Sequence, residues 1–351
     1  MSPGRQAIAA ALAAAILFGL STPAAKLLLT VADPWMTAGL LYLGSGLGLG
    51  GYRLLQRLAG ARAGEARFQR ADLPWLIGAI VSGGGIGPVL LMLGLVSVAA
   101  SQASLLLNLE GVLTAVLAWV VFREHFDRQI LLGLALITGG AGFLAWEPIE
   151  GWPLQRGSLL VIGACLAWAV DNNLTRKVSG GDPMVMAALK GGVAGAANLA
   201  IAIMAGAPAP GVVAAGGVAV VGLFGYGVSL VLFIRALRGL GAARTGAYFS
   251  AAPFIGAFVS IVTLDEPLRV GLLAGGALMI AGLWLHVTER HEHEHVHEPL
   301  AHDHRHRHDE HHQHAHDAGV AADEPHSHRH VHASLRHSHP HYPDIHHRHG
   351  H

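Results

Sequence analysis

Ten apolar windows follow one another through the first 288 positions. Each is close to the ~20 residues a helix needs to cross a hydrocarbon core about 30 Å thick. They lie near 7–30, 35–57, 73–97, 101–122, 129–146, 157–176, 184–205, 212–235, 242–264 and 270–288. Charges, glycines and prolines punctuate them: Asp33-Pro34, the Arg-rich stretch 53–72, Arg123 to Arg128, Glu147 to Arg156, Asp182-Pro183, Pro208 and Pro210, Arg235 to Arg244, and Asp265 to Arg269. The runs are continuous rather than alternating, which excludes a closed β-barrel, and the short connections imply adjacent antiparallel helices. The expected fold is an all-α polytopic membrane protein with ten transmembrane helices. The first window follows Arg5 and runs through Leu29, longer than the apolar core of a secretory signal, so it reads as a span.

A balanced charge, Lys+Arg 23 against Asp+Glu 23, hides two unlike parts. Residues 1–288 hold 17 basic and 12 acidic side chains between apolar runs, whereas 289–351 hold 6 basic, 11 acidic and 23 His with almost nothing to bury. The second part is expected to be a disordered polar tail. Cys165 is the only cysteine, so neither an intrachain disulfide nor a thiolate metal cluster can be built. No phosphate-binding glycine loop is present, which argues against ATP-driven work, and neither an enzymatic activity nor a nucleic-acid partner is expected.

Lys and Arg near span ends are retained on the cytoplasmic side. With the N-terminus inside, the cytoplasmic segments collect thirteen basic residues: Arg5, Arg53, Arg57, Arg62, Arg67, Arg70, Arg123, Arg128, Arg176, Lys177, Arg235, Arg238 and Arg244. The external loops keep Arg156 and Arg269. Both termini are therefore expected in the cytoplasm, with the chain in the cell membrane, a bacterial inner membrane. An internal repeat agrees with this. The run from Ala103 lies over the run from Thr245 at a constant offset of 142, pairing Glu124 with Glu266, and LFGLSTPAAK from Leu17 lies over AWAVDNNLTR from Ala167 at an offset of 150. Five spans per repeat is an odd number, so the halves are inverted in the bilayer, the usual build of secondary transporters. The expected divisions are 1–148, 149–288 and the tail 289–351.

These features resemble the EamA-type transporters of the drug/metabolite transporter superfamily. The residues that carry the resemblance are Phe18-Gly19 to Pro23 and Lys26 in the first span, the Pro253 region of the ninth, and the helix-ending acids Glu124 and Glu266. The likeness covers 1–288 and not the tail. It implies two five-helix halves that move amino acids, metabolites or drugs, often outward. The sequence departs from the pattern where Glu110-Gly111 faces Ala252-Pro253 across the repeat, and where Asp171-Asn172-Asn173 faces Ser21-Thr22-Pro23.

An ionised acid costs about 2.5–3.5 kcal/mol at the bilayer centre on insertion scales, so such acids usually face a bundle interior or a wet cavity. Asp171, with Asn172 and Asn173, is a functional-site candidate on that ground, unless its closeness to Arg176 and Lys177 merely puts it among headgroups. Glu110 falls near mid-span, where neutralisation or a bound cation is the expected escape. It shares a helix face with Ala103 and Thr114, whereas Ser101, Ser104, Asn108 and Gly111 recur on another, either as cargo path or as helix-packing surface. Lys190 either snorkels to the interface or pairs with Asp171. Pro23 and Pro253 remove backbone donors within spans and can kink a helix or line a cavity. Ser21 to Pro23 fall toward the outside and Asp171 to Asn173 toward the inside, as two gates of an inverted repeat would.

In the tail, His291, His293, His295 and His297 alternate with other residues, as do His302, His304, His306 and His308, followed by His311, His312, His314 and His316. Alternate residues project to one side of an extended chain, so imidazoles can converge on Zn, Ni or Co. Fixed ligand intervals of a structural zinc module are absent. The tail could equally sense pH near the imidazole value of about 6.5, or be solvated without a dedicated role. The expectation is a secondary transporter or exporter of a small solute that needs no cofactor, with divalent metal bound by the tail. The metal itself is one candidate cargo and an amino acid or metabolite the other. A non-transporting membrane metal sensor is the rival class. The expected partners are the lipid bilayer, the small-molecule or metal-ion cargo and a second copy in a homodimer.

Overall fold

The computed structural model describes residues 3–60, 70–122, 128–146, 156–178 and 182–288, and the backbone of 292–297, 300–306, 326–332 and 335–340. Ten helical segments are described: α1 Pro3–Leu28, α2 Pro34–Leu58, α3 (Leu73–Ala79, Ile80–Ile86 and Gly87–Ser97), α4 (Ala100–Leu106 and Leu109–Phe122) and α5 Arg128–Ala145 in the first half. The second half holds α6 Arg156–Lys177, α7 Pro183–Met204, α8 (Val212–Val221, Gly222–Val228 and Ser229–Phe249), α9 Ala252–Thr263 and α10 Val270–Thr288. Seven of them, α1 and α3 to α8, are long and apolar enough to cross a membrane, and α9 and α10 are shorter apolar helices. The 25-residue α2 is long enough but diluted by glycines.

The repeat read from the sequence is built into the packing. Exchanging each helix for the one five places on turns the contacts α1 on α8 and α1 on α9 into α6 on α3 and α6 on α4, and all four occur. The pairs α2 on α7, α5 on α10 and α4 on α9 map onto themselves. Local chemistry repeats too. Asp33 accepts the N–H groups of Trp35 at 2.8 Å and Met36 at 3.3 Å to cap α2. Asp182 caps α7 in the same way through Met184 at 2.9 Å and Val185 at 3.3 Å, each acid being followed by proline at the first helical position. With an odd number of helices in each half, the two are inverted relative to each other.

The buried core is small and aliphatic, with Leu41, Leu91, Met92, Leu95, Leu106 and Met279 fully enclosed. Large apolar residues such as Leu47, Val120, Phe258 and Trp284 lie exposed, as an outer surface facing lipid requires. One boundary differs from the sequence reading. The polar run Arg235 to Arg244 was expected to separate two spans, yet α8 continues as helix to Phe249. Arg, Ala and Leu are strong helix formers, the run has no proline, and each of its glycines costs only about 1 kcal/mol relative to Ala. As a result α9 is left with 12 residues.

In the tail the backbone forms two antiparallel pairs, β1 Glu292–His297 with β4 Leu335–Pro340, and β2 Leu300–His306 with β3 His326–His332. Their alternating composition suits a period of two. Among the described residues of 3–288 there are no strands.

Candidate functional site

At Gly83-Gly84-Gly85 the helix α3 widens into a π-type turn over Ile80–Ile86. Such turns release carbonyls from the regular ladder, and they survive in a membrane only where other groups of the protein meet them. Three neighbouring helices do so. The Tyr42 hydroxyl of α2 and the Trp168 indole N–H of α6 donate to the Gly83 carbonyl at 2.8 and 2.9 Å. The Asn198 amide of α7 donates to the Gly84 and Gly85 carbonyls, each at 3.2 Å. An equivalent turn, Gly222–Val228, interrupts α8, and Ile80 and Gly222 are 142 residues apart, the offset already visible in the sequence.

Asp171 of α6 sits against this turn and is 7% exposed. Lys190 of α7 donates to both of its carboxylate oxygens, at 2.5 and 2.6 Å, and the Thr175 hydroxyl donates to Oδ1 at 2.9 Å. Of the two placements open to Lys190, the structure has the pairing one. Room for the carboxylate comes from Gly83, since a Cβ there would overlap Asp171 Oδ2. Gly83→Ala should therefore push the carboxylate off Lys190 and lower stability by about 1–3 kcal/mol. Gly216→Ala, where an added Cβ meets nothing within 4 Å, should leave it unchanged or slightly raised, as thermal unfolding in detergent will read.

Glu110 is placed by a break in α4. The chain turns at Leu107–Asn108 and helix resumes at Leu109, which puts Glu110 in a first turn, where the helix dipole favours negative charge. Half-buried, it accepts from the Asn172 amide at 2.9 Å, and the same amide reaches the Thr114 hydroxyl at 3.2 Å. Asn173 donates to the Thr114 carbonyl at 3.2 Å and to the Ala169 carbonyl at 2.9 Å. The shared face of Glu110 and Thr114 is thus the one α6 meets. Through Asn172 the acid is one residue along the helix from the Asp171–Lys190 pair.

The break in α4 also divides the other expected face. Asn108 donates to the Leu105 carbonyl at 2.9 Å and to Met279 Sδ at 3.7 Å, so its amide is engaged by the break and by α10. Ser101 and Ser104 are buried above the break, and an added Cβ at Gly111 would meet nothing within 4 Å. Ser21, the counterpart of Asp171, is buried and donates to the Phe18 carbonyl at 2.6 Å. A Cβ on Gly225 would come within 2.6 Å of Ser21 Cβ, which repeats the Asp171–Gly83 approach in apolar form. Pro23 lies inside α1 and leaves the Gly19 carbonyl without its helical donor, where Gly256 of α9 packs. Pro253 is a correction: it starts α9 at the first helical turn and so kinks nothing.

Several residues of this centre were missed. Tyr42 and Tyr226 rings lie 5.6 Å apart, Phe18 and Tyr226 5.9 Å, Phe18 and Phe249 5.5 Å, and Phe233 and Phe249 4.8 Å, a chain of rings that starts from the Gly83 turn at Tyr42. The signal was available, because Gly83-Gly84-Gly85 and Gly225-Tyr226-Gly227 align at the offset of 142. Among the described residues, no three His, Cys, Asp or Glu side chains converge as metal ligands. His291, His308, His311, His312, His314 and His316 lie outside the described residues, as does Glu124. His293, His295 and His297 fall on β1, and His302, His304 and His306 on β2.

The sequence pattern of the EamA-like transporter family matches twice, over residues 5–146 and 155–288. An uncharacterized transporter of Methanothermobacter thermautotrophicus is 29% identical over 288 residues, covering 78% of this chain and 83% of its own length. The uncharacterized transporter YvbV of Bacillus subtilis is 23% identical over 282 residues, covering 77% and 88%. YyaM of the same bacterium, also an uncharacterized transporter, is 21% identical over 207 residues, covering 55% and 66%. A solved crystal structure is similar in fold with a TM-score of 0.59 at 17% identity, covering 79% of this chain and 95% of that one.

Proposed function

The chain belongs to the EamA-like transporter family, and we propose that it is a secondary carrier that exports a small organic solute with a charged head group through the centre formed by Asp171, Lys190, Glu110, Asn172 and Asn173. The observation that carries this reading is the buried Asp171–Lys190 pair seated on an irregular turn of α3. A buried pair is weak evidence for stability, since desolvation offsets most of its attraction. A pair that opens to take an ionic cargo gives it a use: the solute's carboxylate replaces Asp171 on Lys190, or its ammonium replaces Lys190 on Asp171. Tyr42, Trp168 and Tyr226 offer apolar faces beside it. Ser21 and Pro23 stand at the matching position of the other half, where the counterpart of the acid is a hydroxyl.

Metal as the cargo is the less favoured reading. A cation approaching Asp171 meets the Lys190 ammonium, and Glu110 with two carboxamides is a thin ligand set beside it. Metal is assigned instead to the tail, as a cytoplasmic buffer or sensor, with both termini inside a bacterial inner membrane by the basic-residue asymmetry. Solute accumulation by purified protein in liposomes under an imposed gradient tests the carrier. Amino acids and organic acids form the first panel, and no flux above empty liposomes for any of them would count against it.

Titration of Zn into the full chain and into the chain ended at Thr288 tests the tail. The full chain should bind more than one ion at neutral pH and the shortened chain none. Neutral imidazole is the ligand, so binding should be present above the imidazole value of about 6.5 and be lost as pH falls through it. Equal binding by the two chains would remove the metal from the reading.

A further inference from the structure

Proline at position 23 opens one carbonyl of α1, and the two halves treat that carbonyl differently. At the offset of 150, Gly19 and Pro23 correspond to Ala169 and Asn173. In α6 the Asn173 amide donates to the Ala169 carbonyl at 2.9 Å, a side-chain donor added to the one the helical backbone supplies. In α1 the proline removes the backbone donor and brings no side-chain donor in its place. The Gly19 carbonyl is thus an acceptor within a span that lacks its helical partner, a costly state in hydrocarbon unless another group meets it.

It faces a junction of α1, α4 and α9. A Cβ added at Gly256 of α9 would fall 2.8 Å from the Gly19 carbonyl oxygen and 2.8 Å from Ser104 Oγ of α4, so the two oxygens approach α9 at the same point. A Cβ at Gly19 would in turn fall 2.6 Å from the Ala252 carbonyl oxygen, which brings a third oxygen to the junction. Ser104 is 1% exposed, and among the described residues its hydroxyl has no hydrogen-bond partner. A helical serine can turn back to the carbonyl four residues before it, as Ser229 does to Gly225 and Ser260 to Gly256. Ser104 forgoes that bond and presents its oxygen to α9 beside the Gly19 carbonyl.

We propose that this junction binds one sodium ion, held by the Gly19 carbonyl, the Ser104 hydroxyl and the Ala252 carbonyl. Carbonyls freed where a spanning helix loses its regular bonding are the groups that coordinate sodium between inverted repeats. Divalent calcium and magnesium draw instead on carboxylates, and the oxygens gathered here are neutral. The close approach of Gly19 and Gly256 favours a small cation over potassium. Gly19 and Ser104 belong to the first half, Ala252 and Gly256 to the second, so movement of one half against the other changes the ligand set and with it the affinity. The inference goes beyond the carrier reading, and its test needs no transported solute, so the two fail separately.

The experiment measures binding of radiolabelled sodium to the full chain in detergent, in competition with unlabelled sodium, potassium or choline chloride at one ionic strength. The parent should bind one sodium per chain, displaced by unlabelled sodium, not by choline, and by potassium at least about ten-fold less effectively. Ser104→Ala removes a ligand, and Pro23→Ala returns the N–H that takes up the Gly19 carbonyl; each should weaken binding at least about ten-fold. Neither should lower the unfolding temperature in choline chloride, since one removes an unpaired buried hydroxyl and the other a helix breaker. Ser260→Ala, one turn along α9 with its hydroxyl on the Gly256 carbonyl, should bind sodium as the parent does. No sodium binding by the folded parent, as a junction holding only water would give, would overturn the proposal. So would binding that potassium matches, or binding unchanged in either Ser104→Ala or Pro23→Ala.

Discussion

Lys190→Met is expected to lower the stability of the protein by about 3–5 kcal/mol, because it leaves the Asp171 carboxylate buried without its cation. Among the described residues Asp171 then keeps only the Thr175 hydroxyl as partner, and the Gly83 backbone packs against its other side. Asp171→Asn alone should cost less, since Lys190 is the longer side chain and can withdraw toward the α7 terminus. The double change Asp171→Asn with Lys190→Met removes both charges and should recover most of the lost stability, as replacing a whole buried pair often does. Transport should behave differently: at least ten-fold down in each single variant and in the double. Thermal unfolding and solute flux measured on the same preparations separate the two effects. Recovery of flux with stability would make the pair structural.

The second large effect is expected at Glu110. Glu110→Gln keeps an oxygen to accept from Asn172, so stability should stay within about 1 kcal/mol of the parent. Glu110→Ala leaves that amide unpaired and should cost about 1–3 kcal/mol. If Glu110 carries the coupling proton, Glu110→Gln should abolish accumulation of solute against a gradient while solute exchange continues, since exchange moves no net proton. Loss of both in Glu110→Gln would instead make Glu110 a contact for the cargo. Unchanged accumulation would remove it from the path.

Much of this architecture is legible in the chain because the bilayer leaves few options. Backbone groups in hydrocarbon must be satisfied within a helix, so long apolar runs declare spans directly. The duplicated Asp-Pro caps at Asp33 and Asp182 fix where α2 and α7 start. The end of α8 is not legible, because Gly239 and Gly241 each cost only about 1 kcal/mol within a helix and no proline stops it before Phe249. Asp171 and Glu110 stood out because charge is costly in lipid. Their surroundings did not, since Tyr42, Trp168 and Asn198 join this centre only by meeting carbonyls that the π-type turn releases. The apolar periodicity that identifies a span carries no signal for that turn, and three consecutive glycines were its sole mark. Asn108 misled for the same reason, since helical spacing assumes a continuous helix and α4 is broken at that residue.

Flux through the double variant Asp171→Asn with Lys190→Met, at matched folding, tests the central claim most directly. Once a solute accumulated by the parent protein in liposomes is known, both proteins are reconstituted at equal density after confirming equal unfolding temperatures. The polar centre as cargo path predicts parent flux well above empty liposomes and double-variant flux at least ten-fold lower. Equal flux from the two proteins would contradict it.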